Sequence, residues 1–309
     1  MNVVRIATRT SPLALAQARL VAARVEERLR AKTELVPLQT SGDRLAGPLQ
    51  ARGGKGLFVK EIEEALLAGR ADLAVHSAKD LPAHSAAGLV LAAVPEREDP
   101  RDALVCRSET GSLAGLRPGA RVGTGSARRA AQLLALRPDL EVVALRGNVE
   151  TRLRKLESQG LDAVVLACAG LVRLGLAGRI AERIAPEALL PAVGQGALAL
   201  QTREGDPLAA ALGALDDPRA AAEFAAERAF LVRLEGDCNV PLAALAEPTG
   251  DGRLRLRGLV AASDGRRIAR GEGEAPLAEA ARAGLIAAER VLAAGGAEIL
   301  ARLRAEAGA

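Results

Sequence analysis

Val3-Val4-Arg5-Ile6-Ala7-Thr8-Arg9-Thr10-Ser11-Pro12-Leu13 is the stretch in which the fold class can be read. Val3 to Thr8 is rich in β-branched residues and reads as a strand. Ser11 then offers a side-chain oxygen as an N-cap, and Pro12 suits the first helical position, where an N–H would have no partner. Leu13, Ala16, Leu20 and Ala23 follow at helical spacing. A strand running straight into a helix is half of a βαβ unit, and the pattern recurs. Strands are expected at 34–39, 73–76, 89–94 and 103–106, then at 121–123, 141–145 and 163–167, with helices starting at Ser126 and Asn148. Such alternation implies α/β architecture.

The chain has 309 residues, enough for two or three domains. Residues 97–102, Arg-Glu-Asp-Pro-Arg-Asp, form a polar stretch suited to a hinge. Pro186, Pro191, Gly194 and Gly196 punctuate a second crossing, after which 197–201 reads as a strand returned to the first unit. From Pro218 the character changes. An Ala-rich helix to about Leu234 precedes strand-like runs at 242–246, 254–261 and 267–271 and a C-terminal helical stretch, a small α+β unit. The expected division is 1–98 with 196–215, then 99–195, then 216–309.

Lys and Arg number 42 against 38 Asp and Glu, and Trp and Tyr are absent. A nucleic-acid binder would show a basic stripe and stacking aromatics, so that class is not expected. No apolar run reaches the roughly 18 residues of a membrane span, and residues 1–10 lack a signal-peptide pattern. Cys106, Cys168 and Cys238 are odd in number and widely spaced, which fits neither a disulfide framework nor a CxxC metal site. A reducing cytoplasm is the expected setting. His76 and His84 are the only histidines, so no metal is expected.

Four segments could carry chemistry. His76-Ser77-Ala78-Lys79-Asp80 follows an apolar strand, at the strand end where α/β sheets bind ligands. Alone it reads either as such a site or as a polar turn with a surface Lys–Asp pair. Gly123-Thr124-Gly125-Ser126-Ala127-Arg128-Arg129 opens a helix whose free N–H groups favour an anion, without the pattern of a nucleotide P-loop. It could equally be an ordinary capped helix with solvated arginines. Leu145-Arg146-Gly147-Asn148 repeats the design, with Arg152 one turn on, and Arg9 with Ser11 does so after the first strand. Arginine forks match carboxylates, so the recurrence fits a ligand bearing many carboxylates. Cys238 lies in a Gly-Asp-Cys-Asn loop that is hard to bury, and exposure suits reactivity, whereas Cys106 and Cys168 sit in segments read as apolar strands.

With these segments in order, the chain resembles the porphobilinogen deaminase (hydroxymethylbilane synthase) family over nearly its whole length. The matching segments are 5–15, 53–61 (Gly-Gly-Lys-Gly-Leu-Phe-Val-Lys-Glu), 74–82 (Ala-Val-His-Ser-Ala-Lys-Asp-Leu-Pro), 96–102, 145–149, 190–197 (Leu-Pro-Ala-Val-Gly-Gln-Gly-Ala) and 227–231 (Glu-Arg-Ala-Phe-Leu). The resemblance implies two type II periplasmic-binding-protein-like α/β domains and a small α+β C-terminal domain. It implies an enzyme that joins porphobilinogen units, with loss of ammonia, into hydroxymethylbilane on a covalent dipyrromethane cofactor. It also implies a monomer without nucleic-acid or membrane partners.

The same resemblance makes Asp80 the catalytic residue and Cys238 the thioether anchor of the cofactor. It places Ser77, Lys79, Arg128, Arg129, Thr124, Ser126, Lys55, Asp102 and Gly147 at the cofactor. Arg9, Ser11, Arg146, Arg152, Arg173, Phe58 and Gln195 fall to the substrate, Phe58 as a pyrrole-stacking side chain. Every pyrrole carries an acetate and a propionate, which accounts for the arginines. Two residues depart from the family pattern: Asp237 stands where glycine is common, and Gly125 where serine is. A non-catalytic binder of polyanions would explain the arginines and the hinge, but would need neither Asp80, Cys238 nor a third domain.

Overall fold

The computed structural model describes residues 3–44, 59–107, 111–236 and 240–308, so Lys55, Phe58, Asp237 and Cys238 lie outside the described residues. The first run of elements is β1 (Val4–Arg9), α1 (Pro12–Leu29), β2 (Thr33–Leu38), α2 (Ser41–Arg44), α3 (Lys60–Leu67), β3 (Leu73–Ser77) and β4 (Leu89–Ala93). A single 3-10 turn, Ala78–Asp80, follows β3. The second run is β5 (Asp102–Cys106), β6 (Arg121–Thr124), α4 (Ala127–Leu136), β7 (Glu141–Ala144), α5 (Val149–Ser158), β8 (Ala163–Ala167), α6 (Cys168–Arg173) and β9 (Glu182–Ile184). Then come β10 (Leu198–Arg203), α7 (Pro207–Leu212), α8 (Pro218–Arg233), β11 (Leu242–Pro248), β12 (Arg253–Ala261), β13 (Ile268–Pro276), α9 (Ala280–Val291) and α10 (Ala297–Gly308).

Local chemistry sets the helix starts. Ser11 accepts from the Ala14 N–H at 3.3 Å with Pro12 first in α1, Ser126 caps α4 through the Arg129 N–H at 3.4 Å, and Asn148 caps α5 through the Thr151 N–H at 2.8 Å. The apolar faces of these helices then cover the sheets. Val21 and Val25 of α1 pack on Val4, Ile6 and Leu73, while Leu133 of α4 packs on Leu104, Val122 and Val165.

Three sheets result, in the orders β2-β1-β3-β10-β4, β7-β6-β8-β5-β9 and β11-β12-β13. The two five-stranded sheets share one plan. Three parallel strands lie to one side, and the fourth position holds an antiparallel strand that has crossed from the other unit. This is the architecture of a two-domain, type II periplasmic-binding-protein-like chain with a small α+β unit added. The two crossing segments touch: the Glu98 N–H donates to Gly196 O at 3.2 Å, and Gly196 has φ +89° with Glu98 O where a Cβ would stand. Only glycine allows both the conformation and the approach.

The structure corrects four local expectations. Cys168 is the first residue of α6 rather than part of a strand, although buried as expected. β7 ends at Ala144, so Arg146 stands beyond the strand end, because Leu145 turns into the core. β13 runs to Pro276 because it pairs with all of β12, and the three-residue β9 exists through its pairing with β5. No helix among the described residues is long and apolar enough to cross a membrane.

Candidate functional site

β1 and β3 are adjacent and parallel, so the residues that leave their C-terminal ends emerge side by side. Arg9 closes β1, and its Nη1 lies 3.8 Å from Oδ2 of Asp80, in the turn after β3. Ser77 is held by Gln17 of α1, its Oγ accepting from Nε2 at 3.0 Å and donating to Oε1 at 3.1 Å. His76 is buried beneath, with Nε2 at 3.0 Å from Gln201 Oε1. Gln201 spends its Nε2 on Glu63 at 2.9 Å, which leaves its oxygen to accept from His76. Burial pulls the imidazole down to about 4, against the opposing influence of Gln201 and Asp80, so His76 is neutral near pH 7.

Asp80 has cationic neighbours from both five-stranded units, Arg9 at 3.8 Å and, by longer-range attraction, Lys79 and Arg152. Lys79 is drawn down to about 8, first by burial and then by Arg129, with Asp80 and Asp102 acting the other way. Arg152, one turn into α5, falls to about 10 through burial and through Arg129 and Arg146, while Asp80 opposes the shift. Among the described residues Arg152 has no carboxylate at ion-pair distance, and its buried Nε has no hydrogen-bond partner. A guanidinium with a buried, unpartnered nitrogen and no carboxylate at ion-pair distance is costly unless a ligand supplies the partner. Arg146 follows β7, with its carbonyl accepting from Lys155 Nζ at 3.0 Å. Gly147 (φ +115°) leads into the Asn148 cap.

Arg128 and Arg129 stand otherwise than as two free cations. The carboxylate of Asp102, fully buried at the start of β5, accepts from Arg128 Nη1 at 2.7 Å and Nη2 at 3.2 Å. It also accepts from Arg129 Nε at 2.9 Å and Gln195 Nε2 at 2.9 Å. Burial alone would raise its pKa, but the two guanidiniums outweigh that and hold it well below the usual carboxylate range. Gln195 spends its other amide hydrogen on Pro100 O at 2.7 Å. Arg173 reaches the crossing, donating to Gly196 O at 2.7 Å, and has Glu98 rather than Asp80 as its acidic neighbour. Thr124 is buried and accepts from the Ser126 N–H at 3.3 Å. A Cβ at Gly125 would collide with the Leu145 carbonyl, which accounts for glycine in this turn.

Two sets of residues escaped the sequence reading. Gln17 lies on the buried face of α1, where a polar residue among Ala14, Ala18 and Val21 signals a hydrogen-bonding duty. Arg97, Glu223 and Glu227 form a buried ion cluster in which Arg97 meets Glu227 at 2.8 and 3.1 Å and Glu223 at 3.2 Å. Glu227 also accepts from the N–H groups of Gly194 at 2.6 Å and Ala246 at 2.9 Å. Its signal was a glutamate on the inner face of an Ala-rich helix, in a segment quoted for its resemblance alone.

Two sheets of one plan, joined by a double crossing, with arginines and one acidic turn near their strand ends, define an α/β protein with a charged site. Comparison with known proteins narrows the class. Residues 4–211 match the family described as porphobilinogen deaminase, dipyromethane cofactor binding domain, and 221–293 match porphobilinogen deaminase, C-terminal domain. The porphobilinogen deaminase of Pelobacter propionicus is 51% identical over 300 residues, covering 96% of each chain. That of Syntrophus aciditrophicus is 50% identical over 306 residues, covering 97% of this chain and 98% of the relative. A periplasmic substrate-binding protein from Coxiella burnetii is similar to 71% of this chain and 94% of its own, at 15% identity and a TM-score of 0.43. The chain belongs to the porphobilinogen deaminase family. It is an enzyme that polymerises porphobilinogen into hydroxymethylbilane on a dipyrromethane cofactor.

Proposed function

We propose that Asp80 is the acid–base carboxylate of this reaction, and that Arg9, Lys79, Arg129, Arg146 and Arg152 hold the acetate and propionate groups of the growing chain. The observation that carries this reading is Arg152, a half-buried arginine that feels Arg129, Arg146 and Asp80, with an unpartnered buried Nε and no carboxylate at ion-pair distance among the described residues. A ligand bearing carboxylates supplies what is missing, so the residues present fit a dipyrromethane and its extensions.

The dipyrromethane, when bound, supplies the free α-carbon to which each incoming unit is joined. Asp80 can deliver a proton toward the departing amine and accept one afterwards, and its charge offsets positive charge developing on the substrate. Arg9 stands beside that carboxylate as its ion-pair partner at 3.8 Å. Asp102 aims Arg128 and Arg129, so these two donors are positioned before a ligand arrives. Gln195 and Arg173 hydrogen-bond to the crossing segments, from which they can also reach substrate. Thr124, Ser126, Ser11 and Gly147 shape the helix starts that the arginines flank.

Cys238 is the attachment point in this reading, with Lys55 and Phe58 at the same site. Three domains, 1–98 with 196–215, 99–195 and 216–309, are supported by the three separate sheets. A reducing cytoplasm accords with the free, buried thiols of Cys106 and Cys168, and a monomer with the family resemblance. Intact mass tests the anchor. The wild-type chain, made in cells that produce porphobilinogen, should carry the mass of two linked pyrrole units, and Cys238→Ser should not. An unmodified wild type would overturn the assignment.

A further inference from the structure

Helix α8 of the third unit lies beneath the turn that carries Asp80. Ala220 and Phe224 of α8 share one buried cluster with Ala78, Leu81 and Val94. One turn further along, Arg228 Nε donates to Ala83 O at 3.2 Å and Nη2 to Ser85 Oγ at 3.1 Å. Its neighbour Glu227 accepts from the N–H of Gly194, whose backbone packs directly on Ala78 and Lys79. Successive levels of one helix therefore touch the turn, the segment after it and the crossing segment beside it.

The turn needs that support. Ala78–Asp80 is a single 3-10 turn closed by one bond, Leu81 N–H to Ala78 O at 3.2 Å, with no side-chain cap. So short an element does not hold its own direction. The first unit contributes the Ala78 N–H bond to Ala197 O at 3.0 Å and the Ala86 N–H bond to Glu63 at 3.4 Å. Within it Arg9 pairs with Asp80 at 3.8 Å, and beyond Asp80, from Leu81 to Ser85, Arg228 supplies the side-chain hydrogen bonds among the described residues. Arg228 has no carboxylate at ion-pair distance among the described residues. It spends its fork on a neutral carbonyl and a hydroxyl two residues apart, an arrangement that serves geometry more than charge.

We infer that Arg228 is a positioning residue for the reaction: by tethering Ala83–Ser85 to α8 it fixes the direction in which Asp80 presents its carboxylate. The inference rests on the assignment of Asp80 above. α8 also leads in sequence toward Cys238.

The test uses cofactor-loaded Arg228→Met, Arg228→Lys and Ser85→Ala, with loading verified by intact mass. Arg228→Met is expected to lower kcat by about ten- to a hundredfold with KM unchanged, since misplacement of a reacting group has costs of that order. Ser85→Ala should lower it less, and the double variant should be no worse than Arg228→Met alone, because the two act through one contact. Amide hydrogen exchange across 81–86 should quicken in each. Arg228→Lys, which can keep one bond of the fork, should fall between, and with Ser85→Ala it carries the test if Arg228→Met fails to fold. Wild-type kcat and exchange in Arg228→Met and Ser85→Ala would overturn the role, as would a loss confined to KM. Asp80→Ala measured alongside separates the two claims. If it stays active, the assignment of Asp80 falls; if it is dead while the Arg228 and Ser85 variants turn over normally, only the tether falls.

Discussion

Arg9 and Asp80 meet at 3.8 Å although 71 positions separate them, because the parallel pairing of β1 and β3 brings their strand ends together. Asp80 remains about a third exposed. It is thus both held by a cation and open to what enters the site.

Removing that carboxylate should leave the fold intact and abolish the chemistry. Asp80→Ala is expected to lose at least about a hundredfold in kcat, the lower range for a lost general acid–base group. Circular dichroism and intact mass should match the wild type. Substantial turnover would refute its role.

Lys79 gives an alkaline limb. Its ammonium, drawn down to about 8, is charged below that pH and can bind a carboxylate; above it the group is neutral. The value of kcat/KM should therefore decline as pH rises through about 8, and Lys79→Arg should carry activity further into the alkaline range. A pH profile of kcat/KM for both enzymes checks this.

Arg152 should trade stability for function. In the cofactor-free Cys238→Ser background its half-buried charge has no carboxylate at ion-pair distance among the described residues, so Arg152→Met should stabilise by about 1 kcal/mol. With Cys238 intact, the same change should raise KM. Denaturant unfolding and steady-state kinetics read the two effects, and destabilisation in the cofactor-free background would contradict the unpaired-charge account.

His76 should weaken the fold in acid. Above pH 6.5 the imidazole is neutral folded and unfolded alike. Below that the unfolded chain takes a proton that the buried ring resists until about pH 4, so stability falls as pH falls through this window. The gap amounts to about 3 kcal/mol at one pH unit per 1.4 kcal/mol. His76→Gln should flatten the dependence, and unfolding curves from neutral pH to about 4 would show whether it does.

How much of this was legible depends on the range of each interaction. Ser11, Ser126 and Asn148 announced their helices because a cap acts within three residues. The polar crossing at 97–102 and the Pro and Gly crossing at 186–196 were readable for the same local reason. The recurrence of arginines at strand ends suggested a carboxylate ligand, and Arg152 accords with it.

Other features were set by distance. Nothing local distinguishes Asp102, which anchors two arginines, from Asp80, which faces the site; their burial does. Gln195 and Arg173 fell to the substrate in the sequence reading, yet their hydrogen bonds serve the crossing, with partners from 23 to 95 positions away. Arg97 and Glu227 lie 130 residues apart, and Arg228 reaches back 145 to the Asp80 loop. By itself the sequence determined the α/β class, the crossings and the residue types of the site, because periodicity and caps are short-range. Only the tertiary structure decided which charges neutralise one another and which are left for a ligand, because that depends on burial and on partners brought together by the sheets.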